Sequence, residues 1–176
     1  AVELGNVQAM LSLAELYQHG EGEIKVDKKK ARQQFQMAAD RGLAKAQCNL
    51  ANCFHREGQM EEAFRLYKMA AEQGLTSSQY NVGVCYEKVV GVERDLDEAR
   101  RWYALAAAKG HEAAATGVVR TVEWIAELRR NRPEPLTFKE KETLANDINS
   151  LPPEDFDGVV DIVAAEMALT GGDEIE

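Results

Sequence analysis

The sequence predicts an all-α, helix-pair solenoid over residues 1–130, and three observations predict it. Glycines recur at Gly5, Gly42, Gly74 and Gly110, at spacings of 37, 32 and 36 residues, a period that belongs to stacked helix pairs. Each stands four residues before a small residue: Ala9, Ala46, Ser78 and Ala114. Between them apolar residues fall every three or four positions, the spacing that draws one stripe along a helix.

The first helix of each unit carries Ala14, Ala51 or Gly83, then Tyr17, Phe54 or Tyr86. In the first unit Ala9, Leu13, Ala14 and Tyr17 are expected to share the buried face. The second helix carries Ala31, Ala63 or Ala99, then Phe35, Tyr67 or Tyr103, then the pairs Ala38-Ala39, Ala70-Ala71 and Ala106-Ala107. Ala31, Phe35, Ala38 and Ala39 share one face at this spacing. Small residues let helix axes approach, and the aromatic ring of each helix fills the space between neighbouring pairs. The glycine after each Ala-Ala pair ends the second helix, because it takes the left-handed cap conformation at little steric cost. Gly5 reads as the close of a preceding unit, and the initial Ala1 suggests a piece of a longer protein.

Residues 111–130 begin like another first helix, with Ala114, Val118 and Val122 in register, but lack a second-helix signature. They predict a single capping helix, with Arg129 and Arg130 at its negative end. Pro133 and Pro135 then break the helix and set a linker at 131–135, since proline lacks the amide hydrogen and restricts its predecessor. Residues 136–176 form a separate module. Thr137 and Glu140 have capping-box spacing, opening a helix through about Asn149, and Pro152-Pro153 precede a second helix from Glu154 to about Met167.

Charge separates the two parts. The net charge is −9, yet residues 1–135 balance 19 basic against 19 acidic side chains, leaving 2 against 11 for residues 136–176. An acidic module argues against nucleic acid as a direct ligand and favours a basic partner. No apolar run approaches the length of a membrane span. The cysteines, Cys48, Cys53 and Cys85, include no Cys-x-x-Cys, and His19, His55 and His111 lie far apart. No catalytic residue, cofactor or metal site is expected, and the three thiols read as core packing in a nuclear or cytoplasmic setting. Gly20-x-Gly22 joins two helices without a following Gly-Lys-Ser/Thr, so it is not a phosphate loop. Lys28-Lys29-Lys30 reads as a solvated face.

The motifs Tyr17-x-x-Gly20-x-Gly22, Lys30-Ala31 and Ala38-Ala39, with Gly91-Val92-x-x-Asp95 and Ala99-x-x-Trp102-Tyr103-x-x-Ala106-Ala107-x-x-Gly110, resemble Sel1-like repeats. Repeat two departs from the pattern: Phe54 is followed by a short Glu57-Gly58-Gln59 turn, closer to a tetratricopeptide unit. The resemblance implies a helical scaffold that holds partner proteins without catalytic machinery.

Downstream, Leu136-Thr137-Phe138-x-Glu140-Lys141-x-x-Leu144, Asp147-Ile148-Asn149-x-Leu151-Pro152, Val159-Val160-x-Ile162-Val163 and Asp173-Glu174-Ile175-Glu176 resemble the extra-terminal (NET) domain of bromodomain-containing transcriptional regulators. That resemblance implies capture of a basic Lys/Arg-rich peptide with alternating apolar residues, through Phe156, Val159, Val163, Asp173, Glu174, Ile175 and Glu176. In an extended strand Glu174 and Glu176 point one way and Ile175 the other, which suits strand addition by such a peptide. The chain stops at Glu176, before the rest of the strand and the third helix of that family, so the module is partial.

The functional expectation is a non-catalytic adaptor, plausible in transcription or chromatin regulation. Asn49, Asn52 and Asn81 on the first helices are candidate groove residues for an unidentified protein partner. A Sel1-like adaptor in quality control or signalling, with the acidic segment as a solubilising tail, is the second reading. An enzyme with a site formed only in space is the third.

Overall fold

The computed structural model describes residues 2–130, with Glu142 and Asn146 as isolated helical positions beyond them, and side chains from Asn6 to Leu128. Seven α-helices account for the described chain: α1 Val2–His19, α2 Lys28–Asp40, α3 Ala44–Arg56, α4 Met60–Glu72, α5 Thr76–Lys88, α6 Leu96–Ala107 and α7 Glu112–Arg130. The chain divides into two compact units. One holds α1 to α4 with the first half of α5; the other holds the second half of α5 with α6 and α7.

Local chemistry sets the helix ends. Asp27 caps α2, its carboxylate accepting from the amides of Lys29 and Lys30 at 3.1 and 3.0 Å. Asp95, one repeat position equivalent, caps α6 by accepting from Glu98 N–H at 2.9 Å. Caps of this kind satisfy amides that have no partner inside the helix. The three second helices all close in a Schellman turn on the Ala-Ala pair. Gly42 N–H donates to Ala39 and Leu43 N–H to Ala38; Gly74 and Leu75 repeat this with Ala71 and Ala70, and Gly110 and His111 with Ala107 and Ala106. The glycines sit at φ 84°, 88° and 82°, the left-handed conformation this motif requires.

In the first unit α1 packs on α2, α2 on α3, and α3 on α4. Second-helix faces are as expected: Ala31, Phe35, Ala38 and Ala39 on α2, and Ala63, Tyr67, Ala70 and Ala71 on α4, are all buried. Each buried ring contributes on the order of 2–3 kcal/mol by removal from water. The α1 expectation needs correction. Its buried stripe is Val7, Leu11 and Ala14, whereas Ala9 is exposed and Leu13 and Tyr17 only half-buried. Among the described residues no helix precedes α1, so the position filled by buried Ala46, Ser78 and Ala114 elsewhere has nothing to pack against. Gly5 likewise lies inside α1 rather than closing a helix before it.

First-helix aromatics also differ from the expected filling role: Tyr17, Phe54 and Tyr86 are half-buried, and cations cover two of them. Arg32 stacks 4.7 Å above the Phe54 ring and the Lys30 ammonium 5.4 Å from that of Tyr17. The α3–α4 connection is the predicted short turn, residues 57–59, held by Gln59 N–H to Phe54 O at 2.9 Å with Gly58 at φ 81°. Longer connections join α1 to α2 and α5 to α6. In the latter, a Cβ on Gly91 would stand 2.1 Å from the Met60 carbonyl oxygen.

In the second unit α6 packs on α7, a single 19-residue helix burying Ala114, Val118 and Val122 as its register predicted. The Tyr103 ring is fully buried between two helix-interior glycines. A Cβ on Gly83 would come within 2.6 Å of one ring edge, and a Cβ on Gly117 within 2.8 Å of the other.

Candidate interaction surface

Two glutamines missed by sequence reasoning tie successive pairs together. Gln47 and Gln79 occupy one repeat position, both are buried, and each donates its side-chain amide to the carbonyl of the preceding Ala-Ala pair: Ala39 at 3.5 Å and Ala71 at 3.3 Å. Gln73 adds a 2.7 Å bond to the Gln47 side-chain oxygen. The recurrent small-residue-Gln dipeptide, Ala46-Gln47 and Ser78-Gln79, is the signal that would have found them.

The candidate groove residues have unequal roles. Asn49 and Asn52 lie on α3 and Asn81 on α5, all half-buried. Asn52 is committed to the fold: its side-chain oxygen accepts from the Tyr67 hydroxyl at 2.5 Å, and its backbone carbonyl accepts from Arg56 at 3.1 Å. Asn49 and Asn81 share a repeat position and make no hydrogen bond through their side chains among the described residues. Phe156, Val159, Val163, Asp173, Glu174, Ile175 and Glu176 lie outside the described residues.

Two of the three thiols show core character. Cys48 and Cys85 are buried, and burial pushes the Cys85 thiol up to about 12, far from the thiolate that reactivity requires. Cys53 is half-buried beside the Arg56 guanidinium at 3.6 Å. Among the described residues no group of three His, Cys, Asp or Glu side chains is placed to hold a metal ion, and no helix is long and apolar enough to cross a membrane.

One ionised cluster lies in the second unit. Glu87, only 5% exposed, accepts from the Arg120 guanidinium through both oxygens at 2.7 Å and from the Tyr103 hydroxyl at 2.5 Å. Burial alone would raise its pKa; the hydrogen bonds from Arg120 and Tyr103 outweigh that and hold it below the ordinary glutamate value. Arg120 is correspondingly raised by its hydrogen bonds to Glu87. A carboxylate already occupied by three donors is a structural tie rather than a base poised near neutral pH.

The outer surface of the second helices carries two further patterns. Met37, Met69 and Leu105 hold the same repeat position, immediately before the Ala-Ala pair, and are 41%, 42% and 49% exposed. Recurrence of a large apolar side chain at one exposed position suits protein contact better than isolated exposure does. The second pattern is electrostatic. α4 opens with Glu61-Glu62 and α6 with Asp97-Glu98, matching the positive end of the helix dipole. At the same positions α2 has Lys29-Lys30, preceded by Lys28, and no acid in its first turn. An open depression of about 640 Å³ runs along this helix, lined by Lys29, Arg32, Gln33, Gln34, Gln36 and Met37.

Helix pairs with recurrent caps, recurrent glutamine ties and recurrent exposed apolar positions define a helical-repeat scaffold. Sel1 repeats match at residues 7–43, 44–75 and 76–111, and the chain belongs to the Sel1 repeat family, whose members serve as protein–protein interaction scaffolds. A Sel1 repeat protein from Oxalobacter formigenes is similar in structure, with 33% identity, a TM-score of 0.58 and coverage of 66% of this chain and 90% of that one. The fold is also similar to c5321, a protective antigen of uropathogenic Escherichia coli strains displaying an SLR fold, with 22% identity and a TM-score of 0.62. That match covers 95% of this chain and 39% of the antigen. No curated protein matches the chain. A second family, described as bromodomain extra-terminal, transcription regulation, matches residues 135–176.

Proposed function

We propose that this protein is a non-catalytic adaptor whose Sel1 repeats hold one protein while its acidic C-terminal module recruits a basic peptide, in transcription or chromatin regulation within the nucleus. The observation that carries the reading is the joining, in one chain, of a Sel1 array to a segment matched to the bromodomain extra-terminal family at residues 135–176. The segment's 11 acidic against 2 basic side chains support a basic ligand, since opposite charge steers encounter and sets partner choice. Alternation at Glu174-Ile175-Glu176 supports strand addition, with lysines meeting one face and apolar side chains the other. On the repeats, Asn49 and Asn81 and the exposed Met37 and Met69 are the contact candidates.

Titration of the chain with a short peptide alternating lysine and isoleucine, followed by backbone amide NMR, tests the reading. Saturable shifts confined to residues 156–176, abolished by Glu174→Lys with Glu176→Lys, are expected. Absence of shifts, in this chain and in one extended by a third helix, sinks the peptide-reader assignment and leaves the repeat surface as the partner site.

A further inference from the structure

Among the second helices α2 is electrically inverted. It has no acid in its first turn and carries Lys29 and Lys30 where α4 has Glu61 and Glu62 and α6 has Asp97 and Glu98, against the sense favoured by the helix dipole. Part of this charge is answered locally: Asp27 lies 3.7 Å from the Lys30 ammonium, and Glu57 lies 2.8 Å from the Arg32 guanidinium. Lys28 and Lys29 are exposed and form no ion pair among the described residues. From Lys29 a stripe runs at helical spacing through Gln33 and Gln36 to Met37, every member exposed. Its ends lie about 12 Å apart along the helix axis. All of it belongs to one helix of one compact unit.

We infer that this stripe docks an acidic amphipathic helix of a separate protein, with carboxylates in its first turn over Lys28 and Lys29 and an apolar side chain two turns on against Met37. Charge complementarity selects this occupant. Two turns of a helix put side chains on one face about 11 Å apart, which matches the separation of Lys29 from Met37. Acids in the first turn of the partner suit its own dipole as well as the two lysines. Met37, 41% exposed, supplies a flexible and polarizable surface for the apolar side chain. Nucleic acid and anionic lipid fit this face less well. Asp27 and Glu57 lie against its cations and Asp40 accepts from Gln36 at 2.7 Å, so a continuous polyanion would meet carboxylates as well as lysines. The inference rests on the reading of the repeats as the part that holds a partner protein, and it names the chemistry of that partner.

Fluorescence anisotropy of a labelled helical peptide of about 18 residues, with Glu-Glu in its first turn and Leu two turns on, tests this by titration with the full chain. Saturable binding is expected, weakened about tenfold by Lys28→Glu with Lys29→Glu and about threefold by Met37→Ser. Acids at a helix N-terminus follow the dipole, so the doubly substituted chain should keep its helix content by circular dichroism. A charge exchange separates recognition from a merely damaged surface: a peptide with Lys-Lys in place of Glu-Glu should bind the doubly substituted chain more tightly than the parent. Met69→Ser, at the same repeat position on α4, where the first turn is already acidic, should leave binding of the acidic peptide unchanged. Absence of saturation at low salt, or equal binding to the charge-reversed chain, overturns the inference. So does tighter binding of mixed-sequence RNA or of phosphatidylserine vesicles through the same lysines, which makes the stripe a polyanion site. If the acidic peptide fails to bind while the lysine–isoleucine peptide still shifts residues 156–176, only this docking falls. If the acidic peptide binds and the lysine–isoleucine peptide does not, the peptide-reader reading falls and this docking stands.

Discussion

Tyr67 and Tyr103 occupy the same repeat position, yet the two units use them differently. In the first unit the Tyr67 hydroxyl donates to the neutral amide of Asn52, and the corresponding residue one repeat earlier, Phe35, has no hydroxyl and is just as buried. In the second unit the Tyr103 ring lies between Gly83 and Gly117, and its hydroxyl is bound to an ionised, nearly inaccessible Glu87. Ring volume is what the position demands of every repeat. The hydroxyl is an addition, minor where its acceptor is a half-exposed amide and structural where it helps keep a carboxylate charged away from water.

Truncation of the ring should reveal the contrast most strongly. Tyr103→Ala is expected to cost about 3–5 kcal/mol, combining the lost burial with a cavity, and to lower the urea midpoint accordingly. Gly83→Ala gains roughly 1 kcal/mol of helix propensity yet should be net destabilising by about 1–3 kcal/mol, because its methyl meets a ring that Gly117 prevents from retreating. If Gly83→Ala raises the midpoint instead, the clamp does not exist.

Glu87→Gln should cost about 2 kcal/mol through weakened charge-assisted bonds, and it carries a pH signature. The folded-state pKa of Glu87 lies below its ordinary value of 4.5. Its contribution is therefore complete above pH 4.5 and is lost as pH falls through the lower folded value. Acid unfolding profiles should be less steep in that range for the glutamine variant than for the parent; equal slopes would remove Glu87 from the account.

Tyr67→Phe should cost only about 0.5–1.5 kcal/mol, measured in the same urea melts, and Tyr103→Phe more, which directly ranks the two hydroxyls. Smallest is a gain. Val89 sits at φ 61° and is exposed, a conformation costing a non-glycine residue about 1–2 kcal/mol. Val89→Gly should therefore raise the midpoint by up to about 1 kcal/mol after the entropy of glycine is subtracted.

What was legible in the sequence was what is local. The Ala-Ala-x-x-Gly closures, the α3–α4 turn and the second-helix faces follow from residues within a few positions of one another. The first-helix stripe of α1 was misplaced because it was inferred by analogy with helices that pack against a predecessor. Gly83 was visible only as a small residue; that it faces Gly117 across a ring depends on α5, α6 and α7 meeting in space. The same holds for Glu87, whose partners lie 16 and 33 residues away. The α2 lysines read as a solvated face and are exposed; that they stand where α4 and α6 carry acids appears only when the starts of the three helices are compared. Of the groove asparagines, Asn52 was indistinguishable from Asn49 until its bond to Tyr67 was seen. The acidic module's candidate peptide-binding residues lie outside the described residues, and only their pattern speaks.

The repeated closure has an engineering consequence. Every Schellman turn satisfies its own carbonyls, and the glutamine four residues after Leu43 or Leu75 bonds to the Ala-Ala pair just before it. Residues 43–74 are thus a 32-residue cassette with interchangeable ends. A second copy spliced after Gly74 would place its leading glutamine against Ala71, the junction Gln79 already makes. The array is in this sense extensible, and lengthening it would multiply the Met69 position without altering a single cap.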